Sequence, residues 1–171
     1  MKRLWSPWRM AYVSAEKQAG CVFCEIQEAN ESDQETLILY RGEHAMIVMN
    51  KYPYTNGHLM VVPYLHTDTP SALDDDALLE MMQLVNGSIA ILQETLRADG
   101  FNVGMNLGAS AGAGIEQHIH MHIVPRWTGD TNFMSVFSDT RVICEALDDS
   151  YCRLKPHFDA LATKRQIEKQ D

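Results

Sequence analysis

Three histidines, His118, His120 and His122, take every second position of the apolar run Gln117-His118-Ile119-His120-Met121-His122-Ile123-Val124-Pro125-Arg126-Trp127, in a chain with seven histidines in all. Residues i, i+2 and i+4 share one face of an extended strand. The three imidazoles are therefore expected to point together at spacings of roughly 6.6 Å, with Ile119, Met121 and Ile123 turned into a core. Imidazole titrates near neutral pH and serves as nucleophile, acid, base or metal ligand. Two chemistries stay open: the three rings converge on a transition metal, or one ring is a nucleophile held by its neighbours.

Two other motifs carry chemistry. The loop Gly108-Ala109-Ser110-Ala111-Gly112-Ala113-Gly114 leads toward the histidines, and its small residues let backbone N–H groups surround an anion. No Gly-Lys-Ser/Thr follows and the next element reads as a strand, so this is not a P-loop. Beside a histidine triplet it favours phosphate. Cys21-Val22-Phe23-Cys24 has zinc-knuckle spacing, and tetrahedral zinc needs two more ligands. His66, just past Val61-Val62-Pro63-Tyr64-Leu65, and His118 are the best candidates. The βαβ context of a redox CxxC is missing. Cys144 and Cys152 lie eight apart on an expected helix face and read as core thiols.

The elements that must position these groups follow from periodicity. Residues 36–41, 45–50 and 58–62 read as three strands, with Tyr52-Pro53-Tyr54-Thr55-Asn56-Gly57 as the loop between the last two. Leu78, Met81, Met82, Val85, Ile89, Leu92 and Leu96 recur at spacings of three and four, which marks an amphipathic helix from Asp74. Asp74, Asp75 and Asp76 suit its N-terminal end, Gly100 suits its stop, and Gly87 weakens its middle by about 1 kcal/mol relative to alanine. Residues 101–107 and 117–124 complete the strands, and residues 25–35 read as a short helix or loop. Residues 144–154 read as helical, Pro156 is expected to interrupt or restart that helix, and residues 164–171 to fray. Strands, one long helix, then two more strands fit an antiparallel α+β sheet better than βαβ units.

Length and composition bound the rest. The 171 residues, 46% of them hydrophobic, suit one domain over 21–171 with a C-terminal helical extension, preceded by an aromatic and basic arm over 1–20. A net charge of −9 argues against nucleic acid or an anionic membrane as partner. No apolar stretch reaches the roughly 20 residues that span a bilayer, and the opening residues lack the apolar core of a signal peptide, so a cytoplasmic location is expected.

His118-Ile119-His120-Met121-His122-Ile123-Val124 resembles the signature of the histidine-triad (HIT) nucleotide hydrolases and transferases. Asn50-Lys51-Tyr52-Pro53-Tyr54-Thr55-Asn56-Gly57-His58-Leu59 is similar to that family's upstream Asn…Pro…Gly-His segment, and Cys21-x-x-Cys24 to its zinc-bearing branch. The opening Leu4-Trp5-Ser6-Pro7-Trp8-Arg9-Met10, Phe101–Gly108 and Val124–Phe133 are most similar to its bacterial diadenosine tetraphosphate phosphorylase branch. The resemblance implies a five-stranded antiparallel sheet with a long helix, paired into a homodimer with a continuous sheet. It makes His120 the nucleophile that attacks the α-phosphorus and forms a nucleotidyl-histidine intermediate. It places His122 at the phosphate or leaving group, His118 as a support through its backbone or zinc, and His58 as support for the triad. It places Asn50 at ribose, and Asn106 with Gly112, Ala113 and Gly114 at phosphate. Structural zinc on Cys21, Cys24, His66 and His118 is implied. Family members often carry Ser, Thr or Gln where this chain has Ala113-Gly114-Ile115, which leaves water or inorganic phosphate open as the second acceptor. The expected function is cleavage of an adenine dinucleoside polyphosphate. A nucleoside phosphoramidate hydrolase, a non-catalytic nucleotide sensor or scaffold, and a metallohydrolase using the three histidines as ligands are the alternatives.

Overall fold

The structure, a computed structural model, describes residues 20–130 and 145–168. The expected arm except Gly20, the match over 131–133, and Cys144 lie outside the described residues. Five strands, β1 (Ile38–Arg41), β2 (Ala45–Met49), β3 (Leu59–Pro63), β4 (Gly100–Met105) and β5 (Met121–Arg126), form one sheet in the order β1-β2-β3-β5-β4. Every neighbouring pair is antiparallel, as expected. The helices are α1 (Val22–Glu28), α2 (Asp75–Leu96) and α3 (Leu147–Glu168).

Strands β2 and β3 are buried at all positions, because both faces of the sheet are covered. On one face Leu39, Ile47, Leu59, Val61 and Ile123 pack against Met81, Leu84, Val85 and Leu92 of α2 and Tyr151, Leu154 and Phe158 of α3. On the other, Met46, Val48, Met60 and Val62 pack against Phe23 of α1 in a smaller cluster. Alternation along each strand divides its side chains between the two.

Helix α2 begins as its aspartates predict: the Asp74 side chain accepts from the Ala77 N–H at 2.8 Å. It ends earlier than expected, with Arg97 in the left-handed region at φ 51°. Gly100 opens β4 instead, paired with Arg126. Gly87 has a packing reason, since a Cβ there would lie 3.1 Å from Leu161 Cδ2 of α3. Pro156 does not interrupt α3, which continues through it to Glu168. A proline removes the hydrogen bond to the carbonyl four residues back, here that of Cys152, an exposed residue whose carbonyl water can satisfy. Cys152 is accordingly not the core thiol expected. Among the described residues, no helix is long and apolar enough to cross a membrane.

Candidate active site

The histidine run departs from a simple strand. Only His122 lies in β5; His118 and His120 precede it, and the backbone there is held by Ile119 N–H donating to the Thr67 carbonyl at 2.7 Å. The alternation still sends Ile119 and Ile123 into the main core. The three rings do not line one surface. His120 and His122 stand together with ring centroids 4.7 Å apart and planes at 77°, whereas His118 turns toward α1.

Cys21 caps the N-terminus of α1 and Cys24 follows one turn later, so both thiols lie on one side of the helix. His66 arrives just past β3. His118 is anchored by its Nε2–H donating to the Pro63 carbonyl at 2.8 Å, which leaves the Nδ1 lone pair aimed at the thiols. Cys21 Sγ is 3.3 Å and Cys24 Sγ 3.7 Å from His118 Nδ1, and Cys24 Sγ is 3.2 Å from His66 Nδ1. All four donor atoms lie within 4.8 Å of one another, and these residues could hold a metal ion. A tetrahedral ion with zinc's bond lengths separates its sulfur and nitrogen donors by roughly 3.5 Å, so the group fits. Burial and then the hydrogen bond and charge of Cys21 push the Cys24 thiol up. A central cation reverses that penalty by stabilising both thiolates.

The proton positions in the catalytic half follow from partners. Tyr54 N–H donates to His58 Nδ1 at 3.1 Å, and Asn50 Nδ2 lies 3.3 Å from the same nitrogen. His58 therefore carries its proton on Nε2 and donates to His122 Nδ1 at 3.0 Å, which places the His122 proton on Nε2. The His118 carbonyl accepts from His120 Nδ1–H at 3.0 Å, which leaves His120 Nε2 with a free lone pair. Two adjacent imidazoles thus present opposite polarity: an unprotonated nitrogen on His120 and an N–H donor on His122. Both Nδ1 atoms are engaged, and neither ring belongs to the metal-competent group, so the geometry disfavours a metal bound by all three histidines.

A family model described as the HIT domain matches residues 31–129. The AP-4-A phosphorylase of Mycobacterium tuberculosis is 38% identical over 159 residues, covering 88% of this chain and 80% of its own. The chain belongs to the HIT family. Among solved structures, a zinc-bound histidine triad family protein from Mycobacterium smegmatis superposes with a TM-score of 0.67 at 25% identity, covering 85% of this chain and 97% of that one. A hypothetical histidine triad nucleotide-binding protein from Sulfolobus tokodaii superposes at 0.66 with 27% identity, covering 82% and 93%.

In this HIT protein Asn50, expected at ribose, has its Oδ1 accepting from Tyr52 N–H at 2.9 Å and its Nδ2 against His58. Asn106 lies one position past the last β4–β5 pair, Met105 with Met121. In the glycine loop, the N–H groups of Ala111 and Gly112 are spent on a turn of the loop itself. Gly112, expected at phosphate, therefore has no amide N–H to offer an anion. Sequence reasoning missed three parts: the Tyr54 amide, the Pro63 carbonyl, and Phe23, whose ring lies 5.4 Å from His118 and 5.0 Å from His120. The first two are backbone groups with no sequence signal, whereas Phe23, between the two cysteines, could have been found as the core residue of the helix carrying them.

Desolvation holds His120 below the ordinary histidine range, against the opposing hydrogen bond to the His118 carbonyl. Burial, then the charge of His120, lowers His122 from 6.5 to about 4. Both rings are neutral at physiological pH, as a nucleophile and its tautomer-fixed neighbour require. The depressed His122 value makes a stability contribution that is complete above about pH 6.5 and is lost as pH falls toward about 4, because the unfolded chain binds that proton first. Thermal melts between about pH 7 and pH 4.5 are expected to show a steeper loss of Tm in wild type than in His122→Gln. Parallel curves would contradict the assignment.

Proposed function

We propose that this HIT protein cleaves adenine dinucleoside polyphosphates at the α-phosphorus through a nucleotidyl intermediate on His120 Nε2. The observation that carries the reading is the opposed pair of tautomers at His120 and His122. The similarity to a relative named AP-4-A phosphorylase supports the substrate class. In the first step a P–N bond forms to His120 Nε2, the P–O bond to the leaving nucleotide breaks, and that oxygen departs with the electron pair. His122 Nε2–H donates to a non-bridging oxygen on which charge builds. An oxygen of inorganic phosphate or water then attacks, the P–N bond breaks with its electron pair returning to His120 Nε2, and where water is the acceptor its proton leaves to solvent. Asn50 lies at ribose while supporting His58, and Asn106 with the N–H groups of Ala113 and Gly114 binds phosphate oxygens.

The ion at Cys21, Cys24, His66 and His118 is zinc in a structural role, supported by the donor set and the zinc-bound relative. Bound there, it would cross-link α1, the segment after β3 and His118. Strand β4 forms an exposed sheet edge carrying Val103 at 42% exposure, and a homodimer pairing such edges covers it. The enzyme acts in the cytoplasm.

Product analysis with diadenosine tetraphosphate tests the reading. ADP and ATP released only when inorganic phosphate is present are the expected result. AMP release regardless of phosphate makes the acceptor water. No turnover would overturn the substrate class and bring phosphoramidates or nucleotide sensing forward.

A further inference from the structure

His58 sets the polarity of His122, and His58 is itself set by the loop between β2 and β3. Within that loop Asn50 N–H donates to the His58 carbonyl at 2.9 Å and His58 N–H to the Thr55 carbonyl at 3.2 Å. Two outward anchors bear on its position. Thr55 Oγ1 donates to the Pro125 carbonyl of β5 at 2.9 Å, and the next residue, Asn56, is gripped at both ends of its amide from beyond the sheet. Asn56 Nδ2 donates to Glu145 Oε2 at 3.2 Å, and Ser150 Oγ lies 2.9 Å from Asn56 Oδ1 and 2.8 Å from the same Glu145 oxygen. Arg153 holds the other Glu145 oxygen at 2.6 Å.

This cluster is shielded at Ser150 and open at Arg153, whose side chain is 53% exposed. Ser150 is 1% exposed and the Glu145 side chain 13%. Desolvation acts against the charge on Glu145, yet donation from Ser150 and Asn56 and the Arg153 guanidinium hold its carboxyl below the usual range. Gly57, between Asn56 and His58, takes φ 71°, and a Cβ there would collide with Leu96. The backbone leading into His58 is therefore pressed against α2 on one side and tied to the start of α3 on the other. Glu145 and Ser150 both lie outside residues 31–129, where the HIT domain is matched.

We propose that Glu145 and Ser150 are positioning residues for the histidine site: by clamping Asn56 they fix the Tyr54–His58 turn, whose Tyr54 amide sets the tautomer of His58 and, through it, of His122. The C-terminal helical extension is thereby part of the catalytic apparatus. In its kinetic consequence this rests on the function proposed above, while its structural consequence does not.

The test reads imidazole nitrogen and proton correlations by NMR on the full-length protein, alongside turnover of diadenosine tetraphosphate. Wild type is expected to show His122 as one tautomer protonated on Nε2. In Glu145→Ala and in Asn56→Ala that tautomer becomes a mixture, and kcat falls about tenfold with KM nearly unchanged, as a misplaced donor requires. Glu145→Gln, which keeps an oxygen for Asn56, restores the single tautomer. Arg153→Ala, which touches only the far oxygen, leaves it in place. A single unchanged His122 tautomer in both alanine variants would overturn the proposal and reduce the cluster to a fastening of α3, and Asn56→Ala decides the matter even if Glu145→Ala does not fold. A tautomer change in a protein that never turns over the nucleotide would overturn the proposed function and leave the positioning role standing.

Discussion

His120→Ala is expected to lose about 10⁴-fold or more in turnover, the scale on which removal of a covalent nucleophile is measured. The size of the effect follows from what remains. His122 still offers its Nε2–H, because its tautomer is set by His58 and not by His120. The substrate still binds, so KM should move little, but no other unprotonated nitrogen faces the same phosphorus. The His58 and His122 rings are the neighbours in reach, and each has its Nδ1 occupied as an acceptor. His120 is 5% exposed and packs on Phe23, so its removal leaves a void and lowers Tm somewhat. Steady-state kinetics paired with a thermal melt separates the two effects: a variant that melts within a few degrees of wild type yet turns over fewer than about one in ten thousand substrate molecules has lost chemistry. A loss of only tenfold would remove His120 from the covalent role.

The second large effect is on stability. Cys24→Ala should lose bound zinc, from one ion per chain to much less than one, and lower Tm by about 10 °C or more. Cys24 touches both histidine partners, so its loss breaks two sides of the ligand set at once. What an ion there would tie together is thinly held otherwise. Helix α1 has seven residues, with Phe23 as its buried member, and the face it covers has the smaller of the two cores. Without an ion, burial penalises the charged forms of the Cys24 thiol and the His118 ring, leaving only weak thiol–imidazole contacts of 3.2 to 3.7 Å. A chelator should therefore lower Tm first, with activity lost as the protein unfolds. The decisive contrast is with a catalytic metal, which would take activity away at once while Tm held.

Much of this was readable in residue order, for physical reasons that can be named. The 3.6-residue period of Leu78, Met81, Val85 and Leu92 located α2, because one face of it is buried whatever the partner. The metal group was readable because CxxC spacing puts two thiols on one helix turn and histidines were few. The histidine run was half readable: Ile119 and Ile123 went to the core, but the strand begins only at Met121. Upstream, the His118 ring is drawn to the Pro63 carbonyl and the thiols, a competition no local pattern encodes. Arg97 closes α2 in a conformation usually given to glycine, and Pro156 sits inside α3 four residues after Cys152, an exposed residue. The tautomers of His58 and His120 depend on the Tyr54 amide and the His118 carbonyl. Such backbone partners are set by the fold and carry no residue-type signature. The clamp from Glu145 to Asn56 joins residues 89 positions apart, beyond any short motif.

The claim at the centre is that the nucleotide is carried on His120. Protein mixed with diadenosine tetraphosphate in the absence of inorganic phosphate, quenched in base, weighed intact and mapped by peptide mass, tests it directly. The account predicts a fraction of the chains heavier by one adenylyl group, on the peptide containing His120, labile to acid as a P–N bond is, and absent from His120→Ala. Product release with no adduct at any time point, or an adduct that persists in His120→Ala, would contradict it.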